Sequence, residues 1–405
     1  MNWDFLIKDK ESLSVSTDTR NLPAGCVYFA LRGETFDGNK FAKQALENGA
    51  SLAVIDNPVY VLPEGTLLVS NTLLALQDLA RAWRRELGLP IIGITGTNGK
   101  TTTKELMATV LSTQYNIHYT QGNLNNQIGV PLTLLQITRA HEMAIVEMGA
   151  SHPGDIKELV DIAEPNYGLI TNVGRAHLQG FGSFEGVQQT KRELYDYLVA
   201  HDGTIFRNAD NPYLEKMLLS ACEDSKFKIQ NSKLYTTGVM PCGTNLVGSY
   251  NAENVSAAIC VGKHFGIARE QALEAIRQYV PTNKRSQFMQ TPKNKLVVDA
   301  YNANPTSMFA SINAFEGDTF ILGEMKELGD YAHLEHQNIV NMLAERKATQ
   351  VYLVGKEWMQ TTAPYACFQD VAELREFILS HPIQNAHILL KGSRGVQLEK
   401  IIDLL

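Results

Sequence analysis

The sequence lacks the features that mark secreted and membrane proteins. Its five cysteines are scattered and form no CxxC pair; they are Cys26, Cys222, Cys242, Cys260 and Cys367. Such cysteines indicate free or buried thiols in a reducing compartment rather than a disulfide framework. No apolar run approaches the ~20 residues that a helix needs to cross a bilayer. The N-terminal stretch MNWDFLIKDKESL lacks the basic start and apolar core of a signal peptide, so we expect a cytoplasmic protein.

The chain also lacks an excess of basic residues. It has 36 Lys and Arg against 43 Asp and Glu, and its formal net charge is −7. Binding to nucleic acid is therefore not expected, because phosphate backbones are met by basic surfaces. A small anionic ligand remains compatible with this charge, since a local cationic pocket can sit in an acidic protein.

What is present is enough ordinary globular material for two or three domains. The 405 residues are 44 % apolar and 20 % charged, and a chain of this length can bury sizeable cores. Residues 1–85 combine strand-like runs, GCVYFAL and SLAVID, with two helix-like segments, NKFAKQALENGA and TLLALQDLARAWRREL. From residue 91 short apolar runs alternate with helical sequence, which predicts βαβ units and a parallel sheet. After a polar break at 279–294, YVPTNKRSQFMQTPKN, this alternation restarts.

A glycine loop stands between the first of these runs and the next helix, in PIIGITGTNGKTTTKELMATVL at residues 90–111. Glycines let backbone N–H groups turn inward, and with a helix N-terminus they form an anion site. Lys100 would reach the β- and γ-phosphates of a nucleotide, and the Thr101 hydroxyl would bind Mg²⁺. The spacing departs from GxxxxGK[ST], because Ile94 stands where the first glycine belongs. The alternative is a plain glycine turn between a strand and a helix.

Two polar residues follow the neighbouring apolar runs and are candidates for holding a metal. Glu147 ends the run AIVEMG, at the edge where parallel sheets collect ligand groups, and a Mg²⁺ on Thr101 needs further oxygens. His177 lies just beyond the run YGLITNV. The alternative for the histidine is a structural or solvated side chain, which is the commoner role of a lone histidine.

Lys191 is placed unusually for a lysine. The predicted helix SFEGVQQTKRELYDYL has an apolar stripe formed by Phe184, Val187, Leu194 and Leu198. Lys191 is four residues after Val187 and three before Leu194, so it points with the stripe. Either the lysine extends along the stripe to reach water, or it is needed inside for chemistry.

Taken in this order, these motifs resemble the Mur ligases of peptidoglycan synthesis over nearly the whole chain. GTNGKT (96–101) matches that family's ATP loop, which accounts for the unusual spacing, and QGNLNNQIGVP (121–131) resembles its substrate-facing loop. GSYNAENVSAA (248–258) resembles the GxHNxxN segment, with Tyr250 in place of the usual histidine. Similarity to the member that adds D-alanyl-D-alanine lies in DAYNANPTSM (299–308), LGEMKELGDYAHLEH (322–336), LLKGSRG (389–395) and the N-terminal segment 16–41.

The resemblance implies an α/β fold of three domains. The first, residues 1–85, would be a small α/β domain that binds a UDP-substrate. The second, residues 86–284, would be an ATP-binding P-loop domain with a doubly wound, mainly parallel sheet. The third, residues 285–405, would be a Rossmann-like α/β domain that binds the acceptor.

The resemblance also implies roles for individual residues. Nucleotide binding would fall to Thr95, Gly96, Thr97, Asn98, Gly99, Lys100, Thr101, Thr102, Asn251, Asn254, Arg285 and Asp299. Substrate binding would fall to Thr19, Arg20, Asn123, Asn125, Asn126, Asn302, Asn304, Lys391, Ser393 and Arg394. The catalytic set would be Lys100, Glu147, His177 and Lys191. Two Mg²⁺ ions would be held by Thr101, Glu147, His177 and Lys191, with the lysine carbamylated.

The activity implied is ATP-dependent ligation of D-Ala-D-Ala to UDP-N-acetylmuramoyl-tripeptide through an acyl phosphate, with release of ADP. Two alternatives remain at this point. One is a ligase of the same superfamily with another acceptor, of the diaminopimelate-adding or folylpolyglutamate type. The other is a P-loop regulatory ATPase that acts on a protein partner and needs no small acceptor.

Overall fold

The computed structural model describes residues 1–223, 231–283, 285–362 and 364–405, and these form three β-sheets with their helices. Within those ranges no helix combines the length and apolarity that crossing a membrane would require.

The first sheet is small, parallel and ordered as the chain runs. Its strands are β1 (Val15–Ser16), β2 (Val27–Phe29), β3 (Leu52–Ile55) and β4 (Thr66–Leu68), and its helices are α1 (Asp4–Ile7), α2 (Ala42–Glu47) and α3 (Thr72–Leu87). Helix α3 begins after Asn71, whose side chain accepts a hydrogen bond from the Leu74 N–H, and ends at Gly88 in the left-handed region. These caps fix the bounds that the sequence predicts for this helix.

The second sheet is entirely parallel, with the strand order β10-β9-β8-β5-β7-β6. The strands are β5 (Ile91–Thr95), β6 (Ile117–Tyr119), β7 (Met143–Glu147), β8 (Tyr167–Ile170), β9 (Thr204–Asn208) and β10 (Ser232–Tyr235). The helices are α4 (Lys100–Leu111), α5 (Gly129–Leu135), α6 (Asp155–Ala163), α7 (Leu178–Phe181), α8 (Phe184–Ala200), α9 (Pro212–Cys222), α10 (Asn251–His264) and α11 (Arg269–Gln278).

Helices cover both faces of this sheet, which makes it doubly wound. On one face Ile92 and Ile94 of β5 pack with apolar residues of α4 and α10. On the other face Ile91 packs in a core shared by α3, α6 and α8, and the Trp83 indole N–H of α3 donates to the Ile137 carbonyl at 2.8 Å. The strand order reverses at β5, so the loops after β5, β7 and β8 open into one crevice.

The third sheet is mixed, with the order β11-β12-β16-β13-β14-β15, in which β11 alone runs antiparallel to its neighbour. The strands are β11 (Gln287–Gln290), β12 (Lys295–Asp299), β13 (Thr319–Gly323), β14 (Gln350–Val354), β15 (Ala366–Phe368) and β16 (His387–Lys391). Helices α12 (Pro305–Ala314) and α13 (Ala332–Glu345) cover one face, and α14 (Val371–Ser380) covers the other.

The fold class predicted from the sequence is confirmed: three α/β units, of which the central one is doubly wound. The predicted boundary after residue 85 falls within α3, whose apolar side packs into the core of the central sheet. The boundary at residue 284 lies outside the described residues. The assignment of residues 1–85, 86–284 and 285–405 to separate domains stays a prediction.

Candidate active site

The loop after β5 can only be made with glycine at two positions. Gly96 has φ 144°, and a Cβ there would lie 1.9 Å from the Thr171 hydroxyl oxygen. Gly99 has φ 78°, and a Cβ there would lie 2.5 Å from the Asn254 amide oxygen. These close approaches let the backbone turn tightly into the N-terminus of α4, where unpaired N–H groups favour an anion. The alternative of a plain glycine turn does not account for what surrounds this loop.

Lys100 is the first residue of α4 and bends back over the loop. Its ammonium donates to the carbonyl oxygens of Gly96 at 2.6 Å and Thr97 at 3.2 Å. Burial lowers the pKa of Lys100 to about 8, with the nearby charge of Arg285 acting in the same direction and that of Glu147 opposing it. An anion beside Lys100 would stabilise its charged form.

Glu147 ends β7 with its side chain buried beside the start of α4. One carboxylate oxygen accepts from the Thr101 hydroxyl at 3.0 Å, and the other accepts from the Asn125 amide at 2.9 Å. Burial by itself would raise the pKa of Glu147, but the charges of Lys104, Lys100 and Arg285 outweigh it, and the pKa is lowered. The carboxylate is therefore ionised and within reach of the hydroxyl that the sequence predicts as a metal ligand.

Lys104 is a site residue that the sequence analysis missed. Its ammonium lies 3.6 Å from Glu147, and the two side chains are 1 % and 2 % exposed. It also lies over the Tyr119 ring, 5.7 Å from the centroid. The available signal was its spacing, since it follows Lys100 by one helical turn. Lysines on the surface of a helix commonly have the same spacing, so the sequence does not distinguish them. The role of Lys104 becomes visible only because Glu147, at the end of β7, lies beside it.

His177 and Lys191 come close to the same place. His177 lies in the left-handed region with φ 50°, and its Nδ1 contacts the carboxylate of Glu327 from the segment after β13. Burial lowers the pKa of His177; the carboxylate of Glu327 opposes this, and the charges of Lys100 and Lys191 add to it. Lys191 is 3 % exposed, and its ammonium lies 5.8 Å from the centroid of the Phe181 ring.

Lys191 does not reach water along the apolar stripe. Burial lowers its pKa well below the usual value, with the charge of Lys100 adding to the effect. In the described part of the chain its ammonium has no carboxylate or carbonyl partner. The inward orientation predicted from the stripe is confirmed, and the side chain is a buried amine.

A cavity of about 710 Å³ joins these residues to the third sheet. Most of the predicted site residues line it: Thr97, Asn98, Gly99, Lys100, Thr101, Thr102, Asn125, Asn126, Glu147, His177, Asn251, Asn254, Arg285, Asp299, Asn302 and Lys391. Thr95 ends β5 and Gly96 begins the loop, and neither is among the lining residues. Lys191 is buried behind the lining residues, and the Asn304 amide donates to Asn98 at 2.8 Å. The third sheet therefore closes over the glycine loop.

Besides Asn304, five predicted substrate-binding residues lie outside the lining. Arg20 pairs with Asp18 on the exposed surface near Thr19. Asn123 is exposed at the start of the loop after β6. Ser393 donates to the Glu324 carbonyl at 2.8 Å, and Arg394 lies 5.8 Å from the centroid of the Tyr301 ring. Their substrate roles stay predictions.

The third sheet contributes a cation and a buried ion pair. Arg285 stacks on the Tyr301 ring at 3.9 Å from its centroid. The Lys391 ammonium donates to Asp299 at 2.5 Å, and Lys391 is 1 % exposed. Asp299 is therefore needed to neutralise a buried lysine, besides any contact with a ligand.

The segment with Tyr250 supports α4 from the opposite side. Asn254 accepts from the Thr103 hydroxyl at 2.9 Å, and its own amide donates to Asn251 at 2.9 Å. Tyr250 lines the cavity, with its hydroxyl 2.6 Å from the Ser286 hydroxyl. Tyr250 thus provides a polar group at the position where the GxHNxxN segment has its histidine.

The donors of this cavity fit a polyphosphate. The Nε of Arg285 and the Nδ2 of Asn98 are buried and have no acceptor among the described residues. Buried polar groups are almost always paired, so both donors point to an absent acceptor. For a metal, the described residues bring no three His, Cys, Asp or Glu side chains together. A Mg²⁺ ion at Thr101 and Glu147 would therefore take further oxygens from the phosphates, as Mg²⁺ commonly does.

A doubly wound sheet with an anion-binding loop, a lysine and a buried carboxylate at its switch point has the architecture of a P-loop nucleotide-binding protein. Three protein-family models match the chain. They are described as "Mur ligase family, catalytic domain" (residues 13–84), "Mur ligase middle domain" (94–262) and "Mur ligase, glutamate ligase domain" (284–394). The chain belongs to the Mur ligase family, as its motifs predict.

Its relatives carry more specific names. It is 35 % identical to the UDP-N-acetylmuramoyl-tripeptide–D-alanyl-D-alanine ligase of Bacillus subtilis, over 96 % of this chain and 92 % of the relative. It is similar to the MurF structure from Acinetobacter baumannii, with TM-score 0.83, 29 % identity and coverage of 96 % and 92 % of the two chains. The MurF ligase of Thermotoga maritima in complex with ADP shares the fold, with TM-score 0.83, 24 % identity and 98 % coverage of both chains.

Proposed function

We propose that this protein is an ATP-dependent, ADP-forming ligase that joins D-Ala-D-Ala to UDP-N-acetylmuramoyl-tripeptide in peptidoglycan synthesis. The observation that carries the proposal is the cavity in which the glycine loop, the buried Glu147 and the third sheet meet. The names of the relatives supply the substrates, and the ADP bound to the Thermotoga maritima enzyme supports the nucleotide.

The phosphate end of the substrate ATP would be held by the glycine loop. Lys100 would exchange its loop carbonyls for β- and γ-phosphate oxygens, and Arg285 would offer its unpaired Nε. Phosphoryl transfer depends mainly on position and on charge neutralisation, and both groups are cationic and fixed to different walls of the cavity. With Lys100 and Arg285 both directed at the phosphates, the charge of the bound nucleotide would be neutralised from two sides.

Mg²⁺ would neutralise phosphate charge, so that a donor carboxylate can approach ATP. Thr101 and Glu147 would hold one ion, and His177 with a carbamylated Lys191 would hold the other. Glu147 is already ionised and turned towards the Thr101 hydroxyl. Glu327 contacts the Nδ1 of His177, so the Nε2 of that ring would be the atom that binds the metal.

The reaction would take place in two steps between the substrates. First, an oxygen of the donor carboxylate bonds to the γ-phosphorus of ATP, the bond to the β-phosphate bridging oxygen breaks, and ADP leaves. The ammonium group of D-Ala-D-Ala then loses one proton to solvent or a base, and the neutral amine bonds to the acyl carbon. Inorganic phosphate leaves and the nitrogen loses a second proton, so that the new amide keeps one N–H. Closure of the third sheet over the loop would exclude water from the acyl phosphate.

The two substrates would enter from opposite sides. The UDP part of the donor would lie on residues 1–85, and Asn125 and Asn126 would meet its peptide near the phosphates. Both asparagines line the cavity, and Asn125 bonds to Glu147. The acceptor would lie against residues 285–405, on the wall formed by Asn302 and Lys391.

Release of phosphate tests this proposal. We expect turnover only when ATP, Mg²⁺, UDP-N-acetylmuramoyl-tripeptide and D-Ala-D-Ala are all present, and the product should contain one new amide bond. Omitting each component in turn, with phosphate and product measured, provides the check. Equal turnover with diaminopimelate or glutamate as acceptor would favour another ligase of the superfamily. Phosphate release without any acceptor would favour a regulatory ATPase.

Lys100→Ala tests the phosphate end. Because Lys100 is partly buried and bonded only to the loop's carbonyls, its removal should leave the fold intact. We expect kcat/KM for ATP to fall by about a hundredfold, the scale for losing one group that stabilises developing charge. Lys263→Ala, in an exposed lysine of α10, is the control and should turn over normally. Normal kinetics in Lys100→Ala would remove the residue from the proposed site.

A further inference from the structure

Glu327 lines the cavity from the third sheet's side and has a distinctive position. It follows β13 in the segment GEMKELGD, and its carboxylate is paired with His177 from the central unit. Its side chain is 61 % exposed, so it faces open space rather than a packed core. Glu327 contacts His177 and lines the same cavity as Lys100 of the glycine loop, which places its carboxylate on the cavity wall that faces the loop.

The other acidic side chains that line the described cavity are already engaged. Glu147 is bound by Thr101 and Asn125, and Asp299 by the buried Lys391. The remaining ones accept hydrogen bonds as follows: Asp155 from the N–H groups of Ser151 and His152, Glu158 from Gln77, and Glu253 from Asn208. On the third sheet's side Glu327 differs from Asp299, because its exposed carboxylate can exchange the contact with His177 for a new partner.

The backbone of Glu327 is held in an uncommon conformation. Its φ is 62°, in the left-handed region that residues other than glycine rarely adopt. Gly329, two residues later, also has a positive φ and lies against Gln179 of α7. Such backbone conformations persist when the surrounding structure fixes them, and they cluster at functional sites. Here the conformation directs a carboxylate across the cavity.

We propose that Glu327 binds the ammonium group of the acceptor dipeptide and holds its nitrogen beside the phosphate end of the cavity. The inference rests on the proposed function, because it requires an acceptor with a free amine. The amine must reach an acyl carbon next to Lys100, and it arrives from the third sheet's side as a cation. A carboxylate at that point pairs with it, and the contact with His177 marks the place that the ammonium would take.

The test is a comparison of the three Michaelis constants. In the full-length protein with ATP, Mg²⁺ and UDP-N-acetylmuramoyl-tripeptide, Glu327→Gln should raise KM for D-Ala-D-Ala by roughly 10- to 100-fold, the scale of one hydrogen bond to a charged group. KM for ATP and for the donor should stay within about twofold of wild type. Glu327→Asp keeps the charge and should raise KM for the dipeptide less than Glu327→Gln does.

A dipeptide analogue separates recognition of the ammonium from a general disturbance. D-Lactoyl-D-alanine has a hydroxyl in place of the amine, and as an inhibitor it should have the same Ki with wild type and Glu327→Gln. Asp330→Asn, which removes an exposed charge from the same segment, is the matched control and should behave as wild type.

Each outcome decides between the two proposals. Wild-type protein that does not use D-Ala-D-Ala refutes the proposed function itself. If the wild type turns over normally and the acceptor KM of Glu327→Gln is unchanged, the role of Glu327 is overturned but the proposed function is not. The same holds if Glu327→Gln raises the Ki of D-lactoyl-D-alanine as much as it raises the KM for D-Ala-D-Ala. A change confined to KM for ATP or to the Mg²⁺ requirement also overturns the role of Glu327 in binding the acceptor. It would indicate that Glu327 positions His177 instead. If Glu327→Gln is unfolded in a thermal melt, Glu327→Ala takes its place, and an unchanged acceptor KM in that variant overturns the role of Glu327.

Discussion

Lys191→Ala is expected to lower kcat by about a thousandfold while the protein stays folded. The expected loss is at the upper end of what removal of one charge-stabilising group costs. The side chain is buried on the inner face of α8, behind the cavity and close enough to His177 to influence its pKa. Turnover measured by phosphate release with all substrates present gives the result.

The physical reason is that an uncompensated ammonium is costly at this position. Burial lowers the pKa of Lys191, so a larger share of the amine is neutral at pH 7. A neutral amine bonds to the carbon of CO₂ and releases one proton, which converts a buried cation into a carbamate anion. Its two oxygens are hard ligands of the kind Mg²⁺ prefers. The carbamate would stand beside His177, where the second ion is proposed.

Chemical rescue distinguishes this role from packing. Acetate or propionate entering the vacated space should restore part of the rate of Lys191→Ala. Lys191→Arg should not respond, because a permanent cation fills the space. Lys216→Ala, an exposed lysine of the neighbouring α9, should be fully active. A bare ammonium at residue 191 in a crystal with Mg²⁺ and nucleotide, or full activity of Lys191→Ala, would rule out carbamylation.

Glu147→Ala is expected to lose both activity and stability. The carboxylate neutralises Lys104, and the two side chains are almost completely buried. Removing one partner of a buried pair leaves a charge without compensation and costs about 3–5 kcal/mol of unfolding free energy. Catalysis should fall as well, because the proposed Mg²⁺ ligand is gone. Urea unfolding and phosphate release on the same preparation measure the two effects.

Glu147→Gln separates the two effects. The amide keeps the size of the side chain and can still accept from Thr101 or Asn125, so its fold should survive better than that of Glu147→Ala. Its activity should still be lost, since a neutral amide is a poor ligand for Mg²⁺. Glu376→Ala, in an exposed glutamate of α14, controls for loss of a surface carboxylate. A Glu147→Gln variant with wild-type turnover would refute the metal role.

Much of the fold could be predicted because the signals are local. Helix α3 has the predicted bounds, since Asn71 and Gly88 cap it and both caps are read within a few residues. The strand, glycine loop and helix around Lys100 appear as predicted for the same reason. The inward position of Lys191 also follows from local spacing, because residues three and four apart share one face of a helix.

Other contacts of the site depend on strand order and on how the units pack. Lys104 meets Glu147 because β7 lies next to β5, and nothing in the helix sequence reveals that neighbour. Asp299 and Lys391 pair across two adjacent parallel strands, β12 and β16, that are far apart in the chain. The sequence predicts these residues as ligand contacts but does not predict that they neutralise one another.

The meeting of Glu327 with His177 is the clearest case of tertiary control. By itself the sequence determined an α/β chain with a nucleotide loop, a buried lysine and a carboxylate at the end of a strand. Only the tertiary structure brought the segment after β13 against the loop after β8 and closed the cavity between them. Local patterns depend on the backbone geometry of a few residues, whereas contacts between units depend on the packing of whole surfaces that no short stretch of sequence encodes.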